Sequence, residues 1–196
     1  MATVPRRADA RRNLERVLIA AREAFAQEGL DAQMPDIAHR AGVGVGTIYR
    51  HFPTKEALIG ALADDHFARL VELAETAVAA DGDPWEAFAG MIWRSARMYV
   101  EDRGLAEIVA SRPRAMSVAG NARYERLQAA AGTLVARGVQ AGAIRPDASA
   151  EDIGTMMCGL GTITTLQRCG KPVAWERYVT IMLDGLRPRP APAPAP

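Results

Sequence analysis

The chain has 196 residues, 49% of them hydrophobic, which is enough to bury a core in one or two compact domains; its formal net charge of +1 neither indicates nor excludes a nucleic-acid partner. The two cysteines, Cys158 and Cys169, are too few for a disulfide framework and are not spaced like metal ligands. No stretch approaches the roughly 20 apolar residues that a membrane span needs. The arginine-rich start lacks the hydrophobic core of a signal peptide. These features favour a cytoplasmic protein and give no indication of a metal or cofactor.

The first residues form a basic arm. Up to Arg16 there are five arginines against Asp9 and Glu15, a net charge of +3, whereas the rest of the chain sums to −2. We expect residues 1–8 to be disordered, either as an arm that contacts DNA or as a floppy start without function. The arginines assigned to DNA are Arg6, Arg7, Arg11 and Arg12.

Residues 9–53 are predicted to form one helical domain. Its first helix covers residues 9–28, because apolar residues recur there at helical spacing, and it ends at Gly29. We expect this helix to brace the segment that follows. Phe25 and Leu30 are predicted to pack against Ile37 and Phe52.

The segment from Ile37 to Leu58 has the pattern of two short helices joined by a tight turn, followed by the start of a third. Ala38 is small where the first two helices cross, Gly42 suits the positive φ of the turn, and Ile48 anchors the second helix. This spacing is typical of a DNA-binding helix-turn-helix, whose second helix lies in the major groove.

The outer face of that second helix supports DNA binding. Lys55 follows Thr54, which is expected to cap the next helix, so that a cation and free backbone N–H groups form a phosphate site. A solvated helical hairpin with chance polar residues is the alternative interpretation. The side chains that project where a helix in the groove meets phosphates and base edges are Thr47, Tyr49, Arg50 and His51.

From Asn13 to Leu62 the chain resembles a TetR-family transcriptional regulator, and V-G-V-G-T-I-Y-R-H-F-P-T-K-E-A-L matches the family's most recognisable motif nearly position for position. Gln33-Met34-Pro35 departs from the family, since many members carry a capping Thr or Ser there. Val45 and Gly46 offer no hydrogen-bonding side chain, so base recognition is expected through thymine methyl groups or through DNA shape. The resemblance implies that phosphates are held by Thr47, Tyr49, His51 and Lys55, and that bases are faced by Val45, Gly46 and Tyr49.

The rest of the chain is also predicted to be helical, because no run alternates with period two, and the fold class is therefore all-α. Residues 54–186 are expected to form a larger regulatory and dimerisation domain, and the Pro/Ala-rich residues 187–196 a disordered tail. The stretch 114–121 is ambiguous and is interpreted as a loop. The predicted helices are Thr54 to Ala80, Asp83 to Asp102 with a capped start at Asp83-Pro84, Leu105 to Arg112, Tyr124 to Gln140, Ala148 to Arg168, and Ala174 to Leu186.

The resemblance further implies a homodimer that binds a palindromic operator and an unknown small-molecule effector. The last two helices would pair with their symmetry mates as a four-helix interface, whereas an ordinary intrachain core is the alternative. The predicted interface residues are Ile153, Met157, Leu160, Thr164, Trp175, Tyr178 and Met182. The predicted effector cavity is lined by His66, Met91, Trp93, Arg97, Tyr99, Tyr124 and Met157, for which plain core packing or surface exposure is the alternative.

Two other functions compete with a ligand-responsive repressor. A helical-bundle enzyme that holds two iron ions would need Glu-x-x-His pairs, and the nearest pattern is Asp36-x-x-His39. The consecutive residues 64–66 (Asp-Asp-His) could contribute to a metal site, and a charged helix face is the alternative. An architectural DNA-binding protein without an effector is the second alternative. We expect no enzymatic activity.

Overall fold

The chain folds as a series of α-helices. The computed structural model describes residues 4–102, 122–165, 167–168, 171–172 and 174–188. The prediction of an all-α fold is confirmed, apart from one two-residue ladder described below. The helices are α1 (Val4–Glu28), α2 (Met34–Ala41), α3 (Val45–His51), α4 (Lys55–Ala79), α5 (Pro84–Glu101), α6 (Ala122–Gln140), α7 (Ala150–Thr165) and α8 (Trp175–Leu186), with a 3₁₀ turn at Gly29–Asp31.

The start of α1 differs from the prediction. The helix begins at Val4 rather than at Asp9, so residues 4–8 are helical where a disordered arm was expected. Pro5 lies in the first helical turn, where its missing N–H costs nothing, and the arginines and alanines that follow are good helix formers. Residues 1–3 lie outside the described part of the chain.

The end of α7 also differs from the prediction. The helix ends at Thr165, and β1 (Gln167–Arg168) pairs in antiparallel register with β2 (Lys171–Pro172), so that Arg168 is opposite Lys171. The break expected at residues 170–172 is therefore a minimal hairpin.

The helix-turn-helix forms where the local signals predict it. Gly42 follows α2 with φ 63°, and its N–H and that of Val43 donate to carbonyls of the last turn of α2. Only glycine adopts this left-handed conformation without strain. The N-cap position Gln33 makes no side-chain capping bond, as the departure from the family pattern suggested.

Capping bonds fix the starts of the two helices that follow. The Thr54 hydroxyl accepts a hydrogen bond from the backbone N–H of Ala57 (3.1 Å), and the Asp83 carboxylate accepts one from that of Glu86 (3.0 Å). Each bond satisfies a backbone donor that a helix start leaves without a partner. Both capping predictions are confirmed.

The chain divides into two compact units, one containing residues up to 66 together with 99–102, and the other containing 67–98 and the described residues from 122 onward. The first unit has a continuous apolar core in which Phe25, Ile37, Ile48 and Phe52 are buried, with Leu30 half-buried against them. The predicted packing of α1 against the helix-turn-helix is confirmed. The domain limits at residues 53 and 54 stay a prediction.

In the second unit, the loop after α6 folds back onto that helix. The backbone N–H groups of Ala143 and Ile144 both donate to the carbonyl of Gly138 (2.8 and 3.1 Å), and the Ile144 side chain is buried against the same glycine. A Cβ on Gly138 would lie 2.4 Å from Cδ1 of Ile144. This close approach therefore requires a glycine in the last turn of α6.

Three predictions fall outside the described residues: the helix Leu105 to Arg112, the loop 114–121, and the tail from residue 189. Among the residues that the structure describes, no helix is both long and apolar enough to cross a membrane. Arg187, the first residue of the predicted tail, follows α8 with an extended backbone, and its guanidinium stacks 3.4 Å over the Trp85 ring.

Candidate nucleic-acid interface

The outer face of α3 is accessible to solvent. Val45 and Tyr49 are 45% and 43% exposed, although both are large and apolar, and Arg50 and His51 are exposed beside them. Ile48 on the opposite face is fully buried and holds α3 against the core of the first unit. The side chains assigned to DNA therefore point away from the core, and their contact with DNA stays a prediction.

Two of these polar side chains already interact with each other. The Arg50 guanidinium donates a hydrogen bond of 3.5 Å to the half-buried Thr47 hydroxyl, one helical turn earlier. Gly46 lies on the exposed side, and no atom lies within 4 Å of the position that a Cβ there would take. The first turn of α3 thus presents bare backbone.

Lys55 has a structural partner that the sequence did not indicate. Its ammonium group donates a hydrogen bond of 2.8 Å to the carbonyl oxygen of Leu30, in the connection between α1 and α2. An ammonium group has three donors, so two remain for a phosphate. No local pattern could have identified this contact, because the two residues are 25 positions apart.

Arg16 adds a cation beside the turn of the helix-turn-helix. Its guanidinium lies 3.4 Å from the carbonyl oxygen of Gly42, and the side chain is exposed. Arg12, one turn earlier on α1, is exposed as well. Of the other arginines assigned to DNA, Arg6, Arg7 and Arg11 lie on α1, and their side chains are outside the described part of the chain.

Arg22 fastens α1 to two other segments of the first unit. Its Nε donates to Asp102 at 2.9 Å, and its terminal nitrogen donates to Asp65 at 2.5 Å. The Asp102 side chain is only 6% exposed, so its charge needs a partner. This bridge connects the helix that braces α3 to α4 and to the residue after α5.

We expect Arg22→Met to lower the free energy of unfolding by about 1–2 kcal/mol, because it removes one charged donor from the largely buried carboxylate of Asp102. Chemical denaturation measures the change. Arg40→Met is the matched control, since Arg40 pairs with Gln27 and with Glu28 at the surface, where such pairs are worth about 0–1 kcal/mol. Equal losses for the two variants would contradict the role of Arg22.

Comparison with known proteins matches both halves of the chain. Residues 17–62 match the model described as bacterial regulatory proteins of the tetR family, and residues 83–188 match that of the SbtR-like transcriptional regulator C-terminal domain. A TetR transcription regulatory protein from Mycobacterium vanbaalenii is 38% identical, over 93% of this chain and 99% of that one, with a TM-score of 0.66. The chain belongs to the TetR family.

Other TetR-family proteins extend the comparison. SCO0520 from Streptomyces coelicolor is 33% identical, over 89% of this chain and 98% of that one, with a TM-score of 0.63. The transcriptional repressor KstR from Mycolicibacterium smegmatis is 34% identical over 83 residues, which are 42% of this chain and 41% of KstR. The chain thus spans about two fifths of the length of the curated relatives that it matches. It is a DNA-binding transcriptional regulator of the TetR family, and that family consists of regulators rather than enzymes.

In this TetR-family protein, the seven residues predicted to line an effector cavity fall into both compact units. In the first unit, His66 is fully buried with its ring 4.8 Å from that of Tyr99. In the second unit, Met91 and Met157 are buried and Arg97 is exposed. The exposure of Arg97 argues against a cavity lining, because a polar group on the solvent side of a helix cannot also face the core.

The remaining two candidates make aromatic contacts in the second unit. Trp93 packs edge-on against Trp175 with ring centroids 5.8 Å apart, and Tyr124 packs edge-on against Phe67. The Tyr124 hydroxyl also accepts a hydrogen bond of 2.6 Å from Gln128. A groove of about 370 Å³ lies between α4 and α6, where it is lined by residues within 68–79 of α4 and by Arg123 and Arg126. None of the seven residues predicted for the effector cavity lines this groove.

The predicted dimer interface stays a prediction, and its residues on α7 and α8 differ in exposure. Ile153, Met157 and Leu160 are buried within their own chain, because this apolar stripe of α7 packs against the neighbouring helices of the second unit. The accessible stripe of α7 is offset by about one residue and contains Thr155, Met156 and Gly159. The side chain of Thr164 lies outside the described part.

On α8, the residues predicted for the dimer interface divide in the same way. Tyr178 is 37% exposed and Met182 is half-buried, whereas Trp175 packs against Trp93. Ile181 is 53% exposed and was not among the predicted interface residues, although it lies three residues after Tyr178 on the same face. We define the accessible α7–α8 face as the set of Thr155, Met156, Gly159, Tyr178, Ile181, Met182 and Gly185.

An ion pair borders this face. Arg145 donates two hydrogen bonds, of 2.5 and 2.6 Å, to the carboxylate of Asp147, and this bond and charge raise the pKa of Arg145 above its ordinary value. The two residues lie at one end of a groove of about 520 Å³ whose other walls come from α7 and α8. Within the described residues, no group of three or more His, Cys, Asp or Glu side chains is arranged to hold a metal ion.

Proposed function

We propose that this protein is a homodimeric, sequence-specific repressor that binds a palindromic operator and is released by a small molecule bound in its C-terminal domain. The exposed outer face of α3 carries the proposal, because large apolar and cationic side chains stand on a short helix whose inner face is anchored by Ile48. KstR, which resembles part of the chain, is named a repressor, and this supports the direction of regulation.

The accessible α7–α8 face supports the dimer. Tyr178, Ile181 and Met156 expose apolar surface there, and the positions above Gly159 and Gly185 are open, with no atom within 4 Å of an added Cβ. Projecting side chains next to open positions suit a self-complementary two-fold interface. A palindromic operator requires two α3 helices about 34 Å apart, which is the spacing of successive major grooves.

An effector would act by linkage. A small molecule weakens operator binding if it binds more tightly to a dimer whose two α3 helices are spaced unsuitably for DNA. The difference between its affinities for the two forms of the dimer sets the size of the effect, which is typically about 1–3 kcal/mol. In the second unit, the candidate lining residues that are buried or half-buried are Met91, Trp93, Tyr124 and Met157.

A footprint of the full-length protein at its own promoter tests the proposal. We expect protection of a two-fold symmetric site, and loss of protection when a small-molecule extract of the cells is added. Protection without symmetry would contradict the dimer. Protection that no extract or candidate metabolite changes would favour an architectural protein over an effector-released repressor.

We expect Lys55→Met to weaken binding to all DNA sequences by the same factor and to lower the slope of log K against log salt by about one, since one phosphate contact is lost. Because the hydrogen bond to Leu30 is lost as well, the variant should also unfold about 1 kcal/mol more easily.

Salt titration by fluorescence anisotropy, together with thermal unfolding, measures both effects of Lys55→Met. Lys171→Met is the matched control, because Lys171 is the other lysine of the chain and lies in the β-hairpin. An unchanged salt slope for Lys55→Met would show that Lys55 does not contact a DNA phosphate. Its role would then be limited to the hydrogen bond with the Leu30 carbonyl.

A further inference from the structure

We infer that α3 recognises its half-site chiefly through the 5-methyl groups of thymines, which Val45 and the Tyr49 ring contact directly. This inference rests on the proposed binding of an operator and specifies the chemistry by which that operator is chosen. Val45 and Tyr49 are two of the large apolar side chains that are strongly exposed in the described structure, and they lie one helical turn apart on the same face.

The surroundings of this apolar pair identify its partner. Gly46, next to Val45, has no atom within 4 Å of its Cβ position, so the backbone of α3 can approach a flat surface closely. Arg50 and His51 are exposed on the same short helix, and Arg16 lies beside the preceding turn. Two arginines beside an apolar centre complement a groove whose rims are phosphates and whose floor carries methyl groups.

The side chains of α3 leave few other ways to read bases. The helix V-G-T-I-Y-R-H contains no Asn or Gln, which read adenine in bidentate fashion, and no Asp or Glu, which accept from cytosine. Arg50 is the one guanidinium on α3 that could read guanine, and it donates to Thr47 in the free protein. Thymine is the one base that offers an apolar group in the major groove, so it is the base that Val45 and Tyr49 can distinguish.

The magnitude follows from the apolar area involved. Burial of one methyl group is worth about fourfold in an equilibrium constant, by the usual value for a buried CH₂. A dimer has two half-sites, so symmetric removal of one contacted methyl is expected to weaken binding by about 16-fold. Removal of a methyl that the protein does not contact should leave the affinity within about twofold.

The test replaces each thymine of the footprinted operator by deoxyuracil, symmetrically in both half-sites, and measures the Kd of the full-length protein for each duplex. We expect one or two positions per half-site to lose about 16-fold. Val45→Ala should abolish the sensitivity at one of these positions. Tyr49→Ala should abolish the sensitivity at the other position, where Tyr49→Phe should retain it, since only the ring is needed.

Ile19→Ala is the matched control, because Ile19 is 54% exposed on α1 and outside α3. It should keep the full deoxyuracil sensitivity. A sensitivity that survives Val45→Ala and Tyr49→Ala would assign the effect to DNA shape and overturn the inference. Specific binding with no deoxyuracil effect at any position would overturn it too, while leaving the proposed regulator intact. If no duplex were bound specifically, the proposed function itself would fail.

Discussion

Replacing Ile181 by glutamate is expected to convert the proposed dimer into a monomer and to lower operator affinity at least about 100-fold. Ile181 is 53% exposed at the centre of the accessible α7–α8 face, with Tyr178 and Gly185 on either side along α8. A two-fold interface would bury this position twice, so two carboxylates would lose water without a partner. A monomer then loses the avidity of two linked half-sites, which is worth about 10²–10⁴.

Sedimentation of the free protein and anisotropy on the operator measure the two effects of Ile181→Glu separately. Ile19→Glu is the control for oligomeric state, because Ile19 on α1 is 54% exposed and receives the same charge. The control should remain dimeric. If Ile181→Glu also remained dimeric at micromolar concentration, the α7–α8 face would not be the interface.

Replacing Gly138 by alanine is expected to destabilise the second unit, by about 1–3 kcal/mol. The new methyl would lie 2.4 Å from Cδ1, 2.6 Å from Cγ1 and 3.3 Å from Cβ of Ile144. Rotation of the isoleucine could move Cδ1 but not Cβ, so the backbone after α6 must shift, with strain on its hydrogen bonds to the Gly138 carbonyl. This cost exceeds the roughly 0.5–1 kcal/mol that alanine gains over glycine within a helix.

Gly132→Ala on the same helix is the matched control with the opposite expected sign. A Cβ at Gly132 would meet only the Cβ of Ala150, at an ordinary distance of 3.9 Å, so the helical propensity of alanine should raise stability by about 0.5–1 kcal/mol. For a chain of this size each kcal/mol shifts the Tm by about 2–4 °C, so calorimetry separates the two variants. Equal shifts would show that Ile144 does not pack closely on Gly138.

Short-range chemistry made the DNA-binding part predictable. Gly42 terminates α2 because only glycine tolerates its left-handed φ, and Thr54 and Asp83 start their helices because each bonds a backbone N–H three residues later. These causes act within one turn of the chain, so the sequence contains them completely. The exposed face of α3 followed from helical periodicity once Ile48 was assigned to the core.

Contacts between distant residues could not be predicted in the same way. Lys55 bonds the Leu30 carbonyl, and Arg22 bridges Asp65 and Asp102, across separations of 25 to 80 residues. A cation in a sequence shows its charge but not which carbonyl or carboxylate lies within its reach. The start of α1 is different, because it depends on local propensity: the arginines and alanines after Pro5 are good helix formers.

The amino-acid sequence by itself determined that this protein is all-α, that it contains a helix-turn-helix, and which side chains of α3 face outward, because each of these follows from periodicity and local capping. Only the tertiary structure decided which apolar stripe of α7 is buried. Both stripes are apolar enough to pack, and periodicity cannot distinguish a neighbouring helix of the same chain from a second copy. Ile153, Met157 and Leu160 are buried within the chain, whereas Met156 and Gly159 of the other stripe, together with Ile181 of α8, are partly or fully accessible.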